Sequence, residues 1–450
     1  MVRLLGNLPT ITNYQLPTTN YQMTTSVQKS HLHRIVLNNG IVVLVAENQT
    51  ADIIAARIFV RAGSSYESQE QAGLTHLLSA VLTKGCDGLS SLEIAEQVES
   101  VGASVSADTT ADYFLLSLKT VTLDFSEIFT LAGRILRSPT FPEAEVELER
   151  RIALQDIRSQ QEQPFTIAFD QLRDIMYQNH PYARSALGNE ATMSRLTRAD
   201  LVRFHQTHFR PDNIVISIAG RITPENAIAL VEEVFGDWQS PPTEPLLRLD
   251  LPELTVEPQI KIKPQQTQQS IVMLGYLGPS VLSDDYAALK LLSTYLGNGL
   301  SSRLFVELRE KLGLAYEVSA FYPTRLLRAS FVVYMGTAPE NTQIALSSLR
   351  KEVDLLSIMQ LEEEALQAAK NKILGQYALG KQTNAQIAQV YGWYEILGLG
   401  IDFDRDFQET IASVSAADAM ASACRYLREP YVSLVGQEEA VNSATAYFNP

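Results

Sequence analysis

Cysteine is scarce in this chain, and the scarcity sets a first boundary. Cys86 and Cys424 are its two thiols, far apart and outside any metal-binding or redox spacing. That excludes a disulfide framework and leaves two small buried apolar side chains as the expectation. Long apolar runs are missing too. No stretch approaches the eighteen apolar residues of a membrane span, and Met1–Asn7 lacks a continuous apolar region of signal-peptide length. Positive charge is in deficit, with 36 Lys and Arg against 51 Asp and Glu and a net charge of -15. Nucleic acid and anionic membrane surfaces both require a basic face, so neither is expected as a partner, whereas peptides would not be repelled. The chain is read as cytoplasmic and soluble.

What remains is ordinary globular material, 46% hydrophobic and 19% charged. At 450 residues it is too long for one core, which favours several domains. Residues 12–25 repeat Thr-Asn-Tyr-Gln with no amphipathic period, so residues 1–30 are expected to form a disordered, low-complexity leader. Residues 34–37 and 41–45 flank Asn38-Asn39-Gly40 and read as a hairpin, followed by a strand near 53–60. Helical periodicity covers about 71–84, 90–101, 123–137, 142–178 and 197–209, with strands near 103–108, 112–120 and 213–219. Hairpins among mixed elements predict an α+β fold.

The most informative stretch is 299–320, which repeats 88–107. Both copies open Gly-Leu-Ser-Ser, continue as a helix, pass a glycine and end in Val-Ser-Ala. A second landmark agrees: Thr197-Arg198-Ala199-Asp200 and its following helix and strand match Ser415-Ala416-Ala417-Asp418. Gly88 and Gly299 are 211 residues apart, Ala199 and Ala417 218. Two landmarks with nearly one offset indicate duplication. Pro241, Pro242, Pro245 and Pro252 lie between the copies and suit an extended connection. The expected organisation is a domain over 31–239, a linker over 240–252 and a homologous domain over 253–450. Each is a mostly antiparallel sheet with helices packed on one face.

Only the later copy carries Arg309 and Tyr316 around Gly313. An arginine in a last helical turn, a glycine at C′ and a tyrosine opening a strand also have a plain structural explanation. In the first half, Gly73-Leu74-Thr75-His76-Leu77-Leu78-Ser79-Ala80 carries one histidine on a mostly apolar helix. His205 and His208, at i and i+3, have no third ligand nearby, and His180 precedes Pro181 in a loop, so a zinc site there is not expected.

Over residues 33–440 the chain resembles the insulinase/pitrilysin-type metallopeptidases, most closely their processing-peptidase-like branch. In that family an inverted motif, H-x-x-E-H, binds Zn²⁺ through two histidines on one helical face, its glutamate activates the metal-bound water, and a later glutamate is the third ligand. At the matching positions this chain keeps His76, has Ser79 for the base and Ala80 for the second histidine, and has Asp156 for the later glutamate. A methyl group has no lone pair and a serine hydroxyl is a poor base, so no cofactor is expected here. The resemblance also implies that Arg309 and Tyr316 bind substrate and stabilise the oxyanion.

An intact arginine–tyrosine pair beside a damaged metal motif resembles the non-catalytic subunit of two-chain members. The resemblance therefore implies a zinc-bearing homologous partner with intact H-x-x-E-H, and peptide substrates. The glycines of Leu296-Gly297-Asn298-Gly299 resemble a short version of that subunit's glycine-rich loop, and a simple turn explains them equally well. The alternative is an inactive structural or peptide-binding protein resembling the core subunits of respiratory complexes. An autonomous peptidase would need zinc in this chain alone.

Overall fold

The computed structural model describes residues 32–240, 251 and 253–445; the leader and most of the linker lie outside the described residues. The first half runs β1 (Leu32–Val36), β2 (Val42–Glu47), β3 (Ile53–Val60), α1 (Leu74–Val81), β4 (Gly85–Cys86), β5 (Leu89–Ser90) and α2 (Ser91–Ser100). It continues with β6 (Ser104–Thr109), β7 (Phe114–Val121), α3 (Phe125–Arg137), α4 (Glu143–Gln160), α5 (Pro164–Tyr177), α6 (Glu190–Met193), α7 (Arg198–His208), β8 (Ile214–Gly220) and α8 (Pro224–Phe235). The second half runs β9 (Ile260–Pro264), β10 (Ser270–Leu277), α9 (Tyr286–Gly297), a π-helix (Phe305–Lys311), β11 (Glu317–Phe321) and β12 (Ser330–Thr337). There follow α10 (Thr342–Ile358), α11 (Glu363–Leu379), α12 (Asn384–Ile396), α13 (Phe403–Ser413), α14 (Ala416–Tyr426), β13 (Tyr431–Gly436) and α15 (Glu438–Thr445).

The two sheets have the orders β1-β2-β8-β3-β7-β6 and β11-β12-β10-β13-β9. With β2-β8-β3-β7-β6 laid on β9-β13-β10-β12-β11 they match strand for strand. In each, one pair is parallel, β2 with β8 and β9 with β13, and the others are antiparallel. The duplicated helix starts match in detail: Thr197 and Ser415 cap α7 and α14, and each forms a reciprocal capping box with the aspartate three residues on.

Strand alternation gives each sheet two faces. Ala56, Ile58, Ile214 and Ile216 face α1, α3, α7 and α8 of their own half, as Leu274, Tyr276, Val432 and Leu434 face α9, α10 and α14 of theirs. The opposite faces are also covered, and by a helix from the other half. The pattern over 142–178 breaks before Pro164, which sits at the first turn of α5 because its missing N–H is not needed there. Helix α5 then leaves the first sheet and lays Ile167, Leu172, Ile175 and Met176 on Ile271, Met273 and Val435 of the second. Reciprocally, α12 and its C-terminal residues Ile396 and Leu397 cover Leu44, Phe59 and Val215 of the first sheet.

Two glycines permit this exchange. A Cβ on Gly392 of α12 would stand 2.2 Å from Phe59 Cε2, and one on Gly275 of β10 would stand 2.5 Å from Met176 Sδ. Polar contacts fix the register. Arg34 donates to both carboxylate oxygens of Glu395 at 3.0 and 2.7 Å, and Asn384 Nδ2 donates to the Ile53 carbonyl at 2.7 Å. Cys86 is buried as expected, but Cys424 is only half-buried, and its thiol donates to the Ser357 carbonyl on the neighbouring helix α10 at 3.3 Å. Among the described residues no helix is long and apolar enough to cross a membrane.

If the exchanged helices hold the halves together, Gly392→Val should destabilise the chain by about 1–3 kcal/mol, the usual cost of overpacking. Denaturant unfolding should still show one transition. An unchanged midpoint would mean that α12 is not seated on Phe59.

Candidate functional site

Helix α1 carries the first group of site residues between α4, α7 and β6. Its N-terminus is set by Gly73, whose φ of +96° suits glycine, and by Glu67. The Glu67 carboxyl accepts the Gly73 N–H at 2.9 Å, the Thr75 N–H at 2.7 Å and the Thr75 hydroxyl at 2.6 Å. It satisfies donors that a helix start leaves open. Burial nevertheless pushes its pKa up to about 7, against those hydrogen bonds and the charge of Arg184. Glu67 was not singled out from sequence; it reaches α1 from outside the capping window, so no local spacing marks it.

His76 is half-buried on α1. Burial holds its pKa below the usual value, and the charges of Asp156, Asp108 and Glu149 pull the other way. Asp156 is thus placed electrostatically beside His76, but it is exposed on α4. The Ser79 hydroxyl turns back and donates to the His76 carbonyl at 2.7 Å, while Ala80 presents only a methyl group. Asp108 Oδ1 accepts the Thr109 N–H at 2.7 Å, and Glu149 pairs with Lys84 at 3.2 Å. Among the described residues no group of three or more His, Cys, Asp or Glu is arranged to hold a metal ion. One imidazole with an exposed carboxylate does not fit a zinc centre, which needs at least three protein donors.

His180, His205 and His208 are packed as buried rings. His205 Nε2–H donates to the Leu136 carbonyl at 2.8 Å, and the ring lies against Phe209 and Phe141. His208 lies against Phe204 and Tyr66, and His180 Nδ1 accepts the Tyr182 N–H at 3.1 Å. Burial lowers all three to about 4.

Arg309 and Tyr316 lie in the second half on either side of Gly313, whose φ is +62°. The Gly313 N–H donates to the Arg309 carbonyl at 3.1 Å and the Leu314 N–H to the Leu308 carbonyl at 2.9 Å, which closes the helix end. The copies differ in winding. Ser90 and Glu93 form a capping box on the α-helix α2, whereas the same number of residues between Gly299 and Gly313 includes π-helix. There the Ser302 hydroxyl is buried with no hydrogen-bond partner.

Leu308, Leu314 and Ala315 are buried and anchor the turn, and the Tyr316 N–H donates to the Gly336 carbonyl at 2.9 Å. The polar ends of both side chains stay outside: Arg309 is exposed with its guanidinium 5.0 Å from the Phe305 ring, and Tyr316 is 61% exposed. No hydrogen bond or ion pair joins either to the other, or to His76, Ser79 or Asp156, among the described residues. Both donors therefore face solvent on a fixed backbone. The glycines before this helix have packing reasons. A Cβ on Gly297 would stand 1.8 Å from the Ala320 nitrogen, and Gly299 has a φ of +83°.

This architecture is that of a duplicated peptidase-like fold. The description "Insulinase (Peptidase family M16)" matches residues 42–190, and "Peptidase M16 inactive domain" matches residues 195–373. The chain belongs to the insulinase, or M16, peptidase family. It is 25% identical over 389 residues to an uncharacterized zinc protease of Rickettsia felis, covering 86% of this chain and 93% of that one. With an uncharacterized zinc protease of Streptomyces coelicolor it shares 28% identity over 385 residues, 84% of each. A solved M16 inactive-domain protein from Pseudomonas fluorescens has the same fold, with a TM-score of 0.84 at 24% identity over 90% of this chain and 98% of that one.

The buried groups set a pH dependence. His180, His205 and His208 take up protons near 6.5 in the unfolded chain and near 4 in the folded one, so acidification through that window favours unfolding. Glu67 acts oppositely between 4.5 and about 7, since the folded state holds its proton longer. Three imidazoles outweigh one carboxyl, so these groups together should lower stability by about 1 kcal/mol or more per pH unit below 6.5. His208→Phe should flatten the slope measured by denaturant titration; an unchanged slope would contradict the buried neutral ring.

Proposed function

We propose that this chain is a zinc-free, non-catalytic subunit that completes the site of a zinc-bearing homologue with intact H-x-x-E-H, and so takes part in proteolysis of peptides as half of a heterodimer. One observation carries the reading. The corner that holds the metal in the resembled enzymes has lost a donor at Ala80 and keeps only a shortened carboxylate at Asp156, while Arg309 and Tyr316 stand exposed with no side-chain hydrogen bond or ion pair among the described residues.

The chemistry suits that pair. Peptide hydrolysis builds negative charge on the scissile carbonyl oxygen, and a guanidinium and a phenol can both donate hydrogen bonds to it. Their backbone is fixed by the Gly313 turn and by the bond from Tyr316 to Gly336, so little reorganisation is needed when charge develops. Substrate lies between the subunits, with the partner carrying out the metal chemistry and this chain gripping the peptide.

The test mixes the chain with its intact-motif partner and follows cleavage of an unfolded peptide. Arg309→Ala and Tyr316→Phe should each lower the rate by about 10²–10³ without weakening assembly. The isolated chain should cleave nothing. Full activity in both variants would remove the catalytic role and leave the reading of an inactive structural or peptide-binding homologue.

A further inference from the structure

The duplication gives each corner of the first half a counterpart in the second. The His76 corner lies between α1, β6 and α4; its counterpart lies between α9, β11 and α11. A cleft of about 670 Å³ opens there, walled by Phe321, Ile373, Tyr377 and Phe407. Its chemistry is reversed. Where His76 is surrounded by Asp156, Asp108 and Glu149, the second cleft is lined by Lys290 of α9.

The Lys290 ammonium donates to the Tyr322 carbonyl at 2.8 Å. An ammonium has two further N–H donors, and no carboxylate pairs with it among the described residues. Burial draws its pKa down to about 8. At the mouth, Lys372 Nζ stands 3.0 Å from where a Cβ on Gly299 would lie, and it too has no ion pair among the described residues. Lys381, on the loop after α11, is by contrast neutralised by Asp404 at 2.7 Å. In a chain of net charge -15, Lys290 lines a cleft whose lining holds no carboxylate and Lys372 stands beside it at Gly299, while the nearby Asp404, which accepts the Tyr377 hydroxyl at 3.0 Å, is already paired with Lys381. Partial burial makes an unpaired charge costly, and an incoming anion would supply the missing counter-charge.

The cleft also borders a sheet edge. Strand β11 is the outermost strand of the second sheet and contributes Ser319, Ala320 and Phe321 to the wall. Aromatic and aliphatic walls around a partly buried cation suit a carboxylate carried on an apolar chain.

We propose that this cleft is a carboxylate-binding site, with Lys290 as its inner anchor and Lys372 at its mouth, taking the end of an apolar chain such as a peptide C terminus or a free organic acid. It does not depend on the partner-completing role of Arg309 and Tyr316, which lie outside the cleft.

The test uses the full chain and three probes: an apolar pentapeptide with a free C terminus, the same peptide amidated, and butyrate. Acetic anhydride labelling at pH 8, where Lys290 is partly neutral, is read at each lysine by mass spectrometry. Binding is measured by calorimetry. The free-acid peptide should bind and slow Lys290 acetylation, with affinity falling about tenfold or more on amidation and in Lys290→Met. Butyrate binding as tightly as the peptide would assign the site to free organic acids; weaker binding would assign it to peptide ends. Equal binding of acid and amide, or no protection of Lys290 by either acid at millimolar concentration, would overturn the proposal. The protection measurement uses the native chain, so it stands even if Lys290→Met fails to fold.

Discussion

The exchange of α5 and α12 is the constraint on which the rest of the structure depends. Each sheet is apolar on both faces, and each half supplies helices for only one. Leaving Phe59, Leu44 and Val215, or Ile271, Met273 and Val435, in water would forfeit roughly 1.5–3 kcal/mol for each large side chain. The helix that covers each set comes from the other half, so neither half is complete alone. The close approaches at Gly392 and Gly275, and the Arg34–Glu395 pair, make the exchange specific rather than merely greasy.

Much of this was legible in the sequence. The Asn39-Gly40 turn and the first three strands follow from local chemistry, and the matched landmarks, among them the helix starts at Thr197 and Ser415, reveal the duplication. The break between α4 and α5 was missed because amphipathic spacing runs on through residues 161–163, although Pro164 is a helix-start signal. The exchange itself was not legible: the apolar stripe of α5 says that it is covered, not by which sheet. Periodicity also says nothing about the wider winding at Phe305–Lys311, or about Glu67 reaching across to the start of α1.

The site divides along the same line. The degenerate positions were readable because a missing donor is visible in a motif: Ala80 cannot ligate, and the Ser79 hydroxyl is spent on the His76 carbonyl. Arg309 and Tyr316 acquire meaning only through the family, since their turn geometry alone is ordinary. Their exposure on an anchored backbone leaves both donors open to solvent, which the proposed role requires. Duplication has thus left two unlike corners, one acidic around His76 and one basic around Lys290, and two exposed hydrogen-bond donors between the copies' shared landmarks.

Metal binding by the isolated chain tests the central claim most directly. After dialysis against a chelator and then zinc, the native chain is expected to retain no tightly held ion, while Ala80→His combined with Asp156→Glu should gain one equivalent by adding a donor on α1 and lengthening the carboxylate on α4. One equivalent of zinc held by the native chain would contradict it.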